Sequence, residues 1–140
     1  MPLGFVLDAS VAISWCLEDE GDSYSVSVLE ALSRVGAAAP AIWPLEMANS
    51  LLMAERRKRL TAEGLPEVLR MLNTLPVLCD SASTNDILFR VHALARAQGL
   101  SVYDASYLDL AMRRGLPIAS RDATLLKAAK KCGVAMFKPT

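Results

Sequence analysis

The sequence predicts an α/β protein: a mostly parallel sheet of about five strands with helices on both faces. Three observations predict it. Short apolar runs, too brief for helices and with nothing polar to alternate with, recur along the chain and suit strands buried on both faces. Between them lie segments whose apolar residues return at helical spacing. The connections are too long for hairpins, which argues for right-handed crossovers between parallel strands.

Phe5, Val6 and Leu7 are the first strand, and the helix-like pattern Val11, Ala12, Trp15, Cys16 follows at once. Asp8 therefore stands where strand becomes helix. In an open parallel sheet this carboxyl edge is where ligands bind and where helix N-termini converge. Taken alone, Asp8 is most simply a helix N-cap. Glu18-Asp19-Glu20-Gly21-Asp22-Ser23 is a polar break whose spacing does not match a calcium loop, so a solvated loop with Ser23 as the next cap is expected. Val28, Leu29, Leu32 and Val35 recur at helical spacing, and Gly36 is the expected C-cap. Ala37 to Ile42, with Pro40 favouring one of its ends, is the second strand.

Trp43-Pro44 opens a helix, Pro44 suiting its first position, with Leu45, Ala48, Leu51 and Leu52 as the expected apolar stripe. Glu46 falls in the first turn, where a favourable dipole contact would account for it. Asn49 stands beside it at i+3, placed to bond Glu46 or a water that Glu46 holds. Arg56-Arg57-Lys58-Arg59 ends the helix and suits either its C-terminal dipole or a phosphate. A second helix follows without a strand between, carrying Leu65, Val68, Leu69 and Leu72, with Pro66 near its start. Pro76 to Cys79 is the third strand and Asp80 to Ser83 its exit. Ser83 and Asp86 have capping-box spacing for the helix of Leu88, Val91 and Leu94, which Gly99 ends.

Ser101 and Asp104 repeat that spacing at the start of the next helix, with Asp in place of the usual Glu. Asp109 lies about 140° around this helix from Asp104 and is expected behind the site or on the surface. Arg113-Arg114-Gly115 ends the helix, and Leu116 to Ser120 is the fourth strand. Asp122 then occupies the same strand-to-helix corner as Asp8, before Ala123, Leu125, Leu126 and Ala129, and could likewise be an N-cap. Val134 to Phe137 is the fifth strand. No linker, low-complexity tract or repeat divides the chain, so residues 1–140 are expected to form one domain.

Composition narrows the function. With 140 residues, 53% of them hydrophobic and 21% charged, the chain supports one well-buried core and is unlike a disordered protein. No apolar run approaches the roughly 18 residues of a membrane span, and no basic residues precede the short apolar run at the N-terminus. A cytoplasmic protein with no membrane partner is expected. Cys16, Cys79 and Cys132 are far apart and odd in number, which argues for reduced core thiols rather than a disulfide framework or a zinc site. One histidine, His92, excludes mechanisms that need a pair and leaves any Ser/His/Asp triad a single choice. Fifteen basic residues balance fifteen acidic ones. Affinity for nucleic acid would therefore have to come from a local basic patch.

Asp8 and Asp122 follow strands, and Glu46 and Asp104 open helices, so all four are expected near one carboxyl edge of the sheet. Each has its own structural explanation, but those explanations do not say why four gather on one side. Carboxylates brought together raise one another's pKa unless a cation compensates, and Arg121 is the only base adjacent in sequence. A divalent metal is the economical counterion. Oxygen ligands with no His or paired Cys suit magnesium or manganese, ions that activate water and stabilise the leaving alkoxide of a phosphodiester.

At these residues the sequence resembles the PIN-domain family, and within it the VapC-type toxins of toxin-antitoxin pairs. The matching pieces are Val6-Leu7-Asp8-Ala9-Ser10, Pro44-Leu45-Glu46-Met47-Ala48-Asn49, Tyr103-Asp104-Ala105-Ser106-Tyr107 and Ser120-Arg121-Asp122, in order over nearly the full chain. The resemblance implies a three-layer α/β/α sandwich and magnesium- or manganese-dependent endoribonuclease activity. It also implies a homodimer, and a cognate antitoxin that blocks the acidic site. Carried over residue by residue, Asp8, Glu46, Asp104 and Asp122 hold metal directly or through water, Ser10 and Ser120 support them by hydrogen bonding, and Asn49 positions Glu46 or water. Arg56, Arg57, Lys58, Arg59, Arg113, Arg114 and Arg121 are candidate contacts to RNA.

One rival is a catalytically silent PIN-like interaction module whose acids only cap helices. A nucleotide-binding doubly wound domain is a second, but the chain has neither Gly-x-Gly-x-x-Gly nor a Gly-Lys-Ser/Thr loop. A phosphatase with an aspartyl nucleophile is a third, against which Ser10 stands where a second acid would often help.

Overall fold

In the computed structural model, which describes residues 2–17 and 21–139, the first apolar run becomes strand β1 (Leu3–Leu7) and lies inside the sheet. β2 (Gly36–Pro40), β3 (Val77–Asp80) and β4 (Ile118–Ala119) complete it in the order β3-β2-β1-β4, every pair parallel. Helices flank this sheet as a three-layer α/β/α sandwich: α1 (Ala9–Ser14), α2 (Ser23–Arg34), α3 (Trp43–Arg56), α4 (Leu65–Thr74), α5 (His92–Gln98), α6 (Val102–Arg114) and α7 (Ala123–Lys131). A π-helical segment, Asp86–Val91, runs straight into α5.

The core follows from the apolar runs. Phe5, Val6 and Leu7 are fully buried, as are Ala37, Ala38 and Ala39 of β2, whose small side chains let α2 and α6 approach the sheet. Phe137 stacks on Phe5 with ring centroids 4.1 Å apart. Gly4 sits at an irregularity in the β1–β2 register, where a Cβ would come within 2.6 Å of Val35 Cγ2. Any larger residue there would have to displace the Val35 side chain.

Several expectations are corrected. Gly36 is not a left-handed helix cap; it opens β2 opposite Leu3, and the extended Val35 ends α2. β2 stops at Pro40, and Ala41 and Ile42 turn into α3. The buried side of α3 is Trp43, Met47, Leu51 and Ala54; the helix starts at the tryptophan, and Leu45 and Leu52 are 70% and 41% exposed. Val134 to Phe137 is not a full strand. It makes one parallel bridge, Met136 with Ile118, because β4 is two residues long and has little edge to pair. Among the described residues the sheet therefore has four strands. Cys79 is exposed on β3 rather than in the core, while Cys16 and Cys132 are half-buried, and no described cysteine is paired. Glu18, Asp19 and Glu20 of the acidic break lie outside the described residues.

Candidate active site

Strand order assembles the acids. After β1 the chain moves to β2 and β3 on one side, while β4 lies on the other, so the order reverses between β1 and β4. The carboxyl end of such a reversal is where open α/β sheets bind ligands. Leu7 pairs with Ala119, and Asp8 N donates to Ala119 O at 3.0 Å, which puts Asp8 beside Ser120.

Asp8 occupies the N-cap position of α1, yet its side chain makes no cap bond. Its Oδ2 instead accepts from Ser10 Oγ and from Ser120 Oγ, both at 2.7 Å, and the residue is 6% exposed. Ser10 Oγ accepts in turn from Arg121 N (3.0 Å), and Ser120 Oγ from Asp122 N (3.0 Å). Asp122 does cap its helix: its Oδ1 accepts from Thr124 N at 2.9 Å and Leu125 N at 3.2 Å. Its position in the corner is thereby explained without using Oδ2.

Glu46, in the first turn of α3, receives a hydrogen bond from the hydroxyl of Tyr107 at 2.5 Å. Tyr107 is fully buried and reaches across from α6. Asp104 shares that helix, one turn earlier. Ser101 caps α6 by accepting from Asp104 N at 3.0 Å, but no bond returns from Ser101 N to the Asp104 carboxylate. The capping box is half made.

The carboxyls sense one another. Burial pushes the Asp8 carboxyl up from its ordinary range, the hydrogen bonds from Ser120 and Ser10 oppose this, and the charge of Asp122 adds to it. Glu46 is raised by burial, against the Tyr107 bond, and further by Asp8 and Asp104. Burial raises Asp104 too, with Asp122 and Asp8 contributing. None of the four makes an ion pair among the described residues. Other acids do: Asp22 meets Arg121 at 3.2 Å, Asp86 meets Arg90 at 2.9 Å, and Asp80 meets Arg113 and Arg114 at 2.8 and 3.4 Å.

This donor set, carboxylate and hydroxyl oxygens with unneutralised charge, fits a hard divalent cation. Among the described residues no three or more acidic, His or Cys side chains stand close enough together to hold a metal ion by themselves. Magnesium characteristically takes one or two carboxylates and keeps several waters, so an open arrangement suits it.

Other sequence-derived candidates lie elsewhere. Asn49 is exposed and makes no bond to Glu46; it lines a shallow cavity of about 300 Å³ with Ile13, Met53, Arg57 and Arg59. The basic turn Arg56 to Arg59 sits at the far end of α3, about 16 Å along the axis from Glu46. The Arg121 side chain turns to Asp22. Of the two places expected for Asp109 the surface is excluded: it is 4% exposed, clamped by Arg90 and Arg113, each at 2.8 Å. Burial alone would raise its pKa, but the two arginines hold it below the usual range. That clamp, and the Tyr107 bond to Glu46, were missed in the sequence. The available signal for Tyr107 was its place one turn after Asp104, since a buried tyrosine needs a partner for its hydroxyl.

The PIN domain family model matches residues 5–131. Comparison with curated proteins finds no match. Among solved structures, the chain is similar to PAE2754 from Pyrobaculum aerophilum, at 24% identity over 91% of this chain and 86% of that one, with a TM-score of 0.67. It is also similar to FitAcB from Neisseria gonorrhoeae, at 19% identity over 96% and 97%, with a TM-score of 0.66. At these identities the likeness to solved structures is one of fold.

Proposed function

The chain belongs to the PIN domain family, and from that premise we propose that it is a divalent-metal-dependent endoribonuclease, the toxin of a VapC-type toxin-antitoxin pair. The observation that carries the reading is the set of four carboxylates at the sheet's reversal point, three of them raised by burial and by acidic neighbours, with no ion pair among the described residues. Asp8, Glu46, Asp104 and Asp122 hold Mg²⁺ or Mn²⁺, directly or through water. The bound metal would supply a more acidic water and charge stabilisation at the phosphodiester.

The chain's own residues set the site. Ser10 and Ser120 hold Asp8 by Oδ2, which leaves Oδ1 for a ligand. Tyr107 orients Glu46 from a buried position. Asp122 spends Oδ1 on α7 and keeps Oδ2. Asn49, one turn beyond Glu46, is left to water positioning, and the turn Arg56 to Arg59 to the RNA backbone. Arg113 and Arg114 take part only through donors not used on Asp80 and Asp109. The reading includes a homodimer that covers exposed apolar side chains of α3 and α4, such as Leu45, Leu52 and Leu69. It also includes a cognate antitoxin that closes over the acids. No described helix is long and apolar enough to cross a membrane, in keeping with a cytoplasmic site of action.

The test is cleavage of a panel of labelled structured RNAs by antitoxin-free protein in magnesium, in manganese and in EDTA. Cutting should require metal and fall more than about 100-fold in folded Asp8→Asn and Asp104→Asn proteins. Equal inactivity of wild type and variants, with no divalent-ion binding in the wild type, would favour the silent interaction module instead.

A further inference from the structure

A cavity of about 260 Å³ opens at the carboxyl ends of β2 and β3, walled by one face of α6 and by the π-helical segment. It adjoins the acids through two elements. Tyr103, which lines it, precedes Asp104, and Ile42, which also lines it, is the cap residue of the helix carrying Glu46.

Its chemistry is specific. Ile42, Ile87 and Val102 provide apolar walls, and Tyr103 stands at the cavity 60% exposed. The floor is polar but internally satisfied: Arg113 donates to Asp109 and to Asp80, each at 2.8 Å, and Arg90 and Arg114 complete the pairing. Asp80, Asp109 and Arg113 line the cavity, and with Asp86, Arg90 and Arg114 pairing from outside the lining three carboxylates meet three guanidiniums. The floor therefore neither repels an anion nor demands one. The volume lies just below the range of about 300–1,000 Å³ of pockets for drug-sized ligands, which is room for one flat ring system and not for an extended chain.

We propose that this cavity seats a single unstacked nucleobase of the RNA, stacked on Tyr103, beside the phosphodiester held at the carboxylates. This rests on the nuclease reading of the adjoining acids. Single-stranded RNA is recognised by splaying bases onto aromatic side chains, and a chain of zero net charge has no global field to hold the backbone. Contact to a base supplies what the field does not. The cavity then sets which nucleotide lies next to the cut.

The test is nuclear magnetic resonance of the intact, methyl-labelled protein in magnesium, titrated with each of the four ribonucleoside 5′-monophosphates and with ribose 5-phosphate. At least one mononucleotide should shift the methyl groups of Ile42, Ile87 and Val102, and ribose 5-phosphate should not. Tyr103→Ala should weaken that binding about tenfold and Tyr103→Phe by no more than about twofold. Identical shifts with ribose 5-phosphate, or unchanged binding by Tyr103→Ala, would overturn the assignment. Silence of the cavity towards every mononucleotide, while magnesium still shifts residues around Asp8, would overturn it also and make the cavity a protein contact. Mononucleotides that enter the cavity of a protein that cuts no RNA would sink the nuclease reading and leave the cavity assignment standing.

Discussion

A single buried carboxyl shows what the fold holds in reserve. Asp8 lies among apolar residues with two serine hydroxyls and, among the described residues, no ion-pair partner, and its pKa is raised mainly by burial. The sign of the consequence follows from linkage. A carboxyl whose folded pKa exceeds its unfolded value, near 3.9, has no effect while both states are protonated. It destabilises the fold as pH rises through that window. In EDTA at pH 7, Asp8→Asn should therefore unfold at a higher temperature than wild type, with the gap closing towards pH 4. Saturating manganese should reverse the order, because an ion that binds only the native wild type stabilises it. Thermal unfolding reads both, and an Asn variant that is less stable in EDTA at pH 7 would contradict the description of Asp8. Asp8 was legible as a strand-end acid, and only the fold could show that it is not a cap. Tyr107 stood in the sequence without a role, since nothing local announces that its hydroxyl meets a residue 61 positions away.

At the scale of elements, helix phase separates what was legible from what was not. In α3 both possible stripes contain leucine, and the core-facing one is the stripe of Trp43 and Met47 rather than that of Leu45 and Leu52. Helix ends were read well where glycine marks them, at Gly99 and Gly115, both left-handed. At the end of α3 the left-handed residue is Lys58, with φ of 60°, and Arg59 N bonds back to Ala54 O at 2.8 Å. Lys58→Gly should raise stability by about 0.5–1 kcal/mol, measured by chemical denaturation, because a Cβ is strained in that conformation. The π-helical segment was expected as ordinary helix. It carries Arg90, which reaches both Asp86 and Asp109. A helical wheel placed Asp109 away from the face of Asp104, but could not name what it faces. Asp109→Asn should cost about 3 kcal/mol at neutral pH. Its folded pKa is lowered, so that contribution is full above the unfolded value near 3.9 and lost as pH falls through the folded one. A variant as stable as wild type at pH 7 would show the clamp to be idle.

For the whole molecule, alternation of apolar runs and amphipathic segments was enough to infer a parallel sheet between layers of helices, and to expect four acids along its carboxyl edge. Strand order was not legible, because any order satisfies the same alternation, and the order is what sets Asp8 and Asp122 on either side of the reversal. The fifth strand failed for a related reason: its pattern was right, but the two-residue β4 has little edge to offer. Charge is also a property of the whole. Arginines neutralise Asp22, Asp80, Asp86 and Asp109 and leave the four site acids without an ion pair among the described residues. The most direct test of that division is a calorimetric titration of antitoxin-free protein with manganese, run beside Asp8→Asn and Asp109→Asn. Saturable binding in the wild type and in folded Asp109→Asn, abolished in Asp8→Asn, is the result expected. No binding in the wild type, or binding untouched by loss of the Asp8 charge, would contradict a metal centre at these acids.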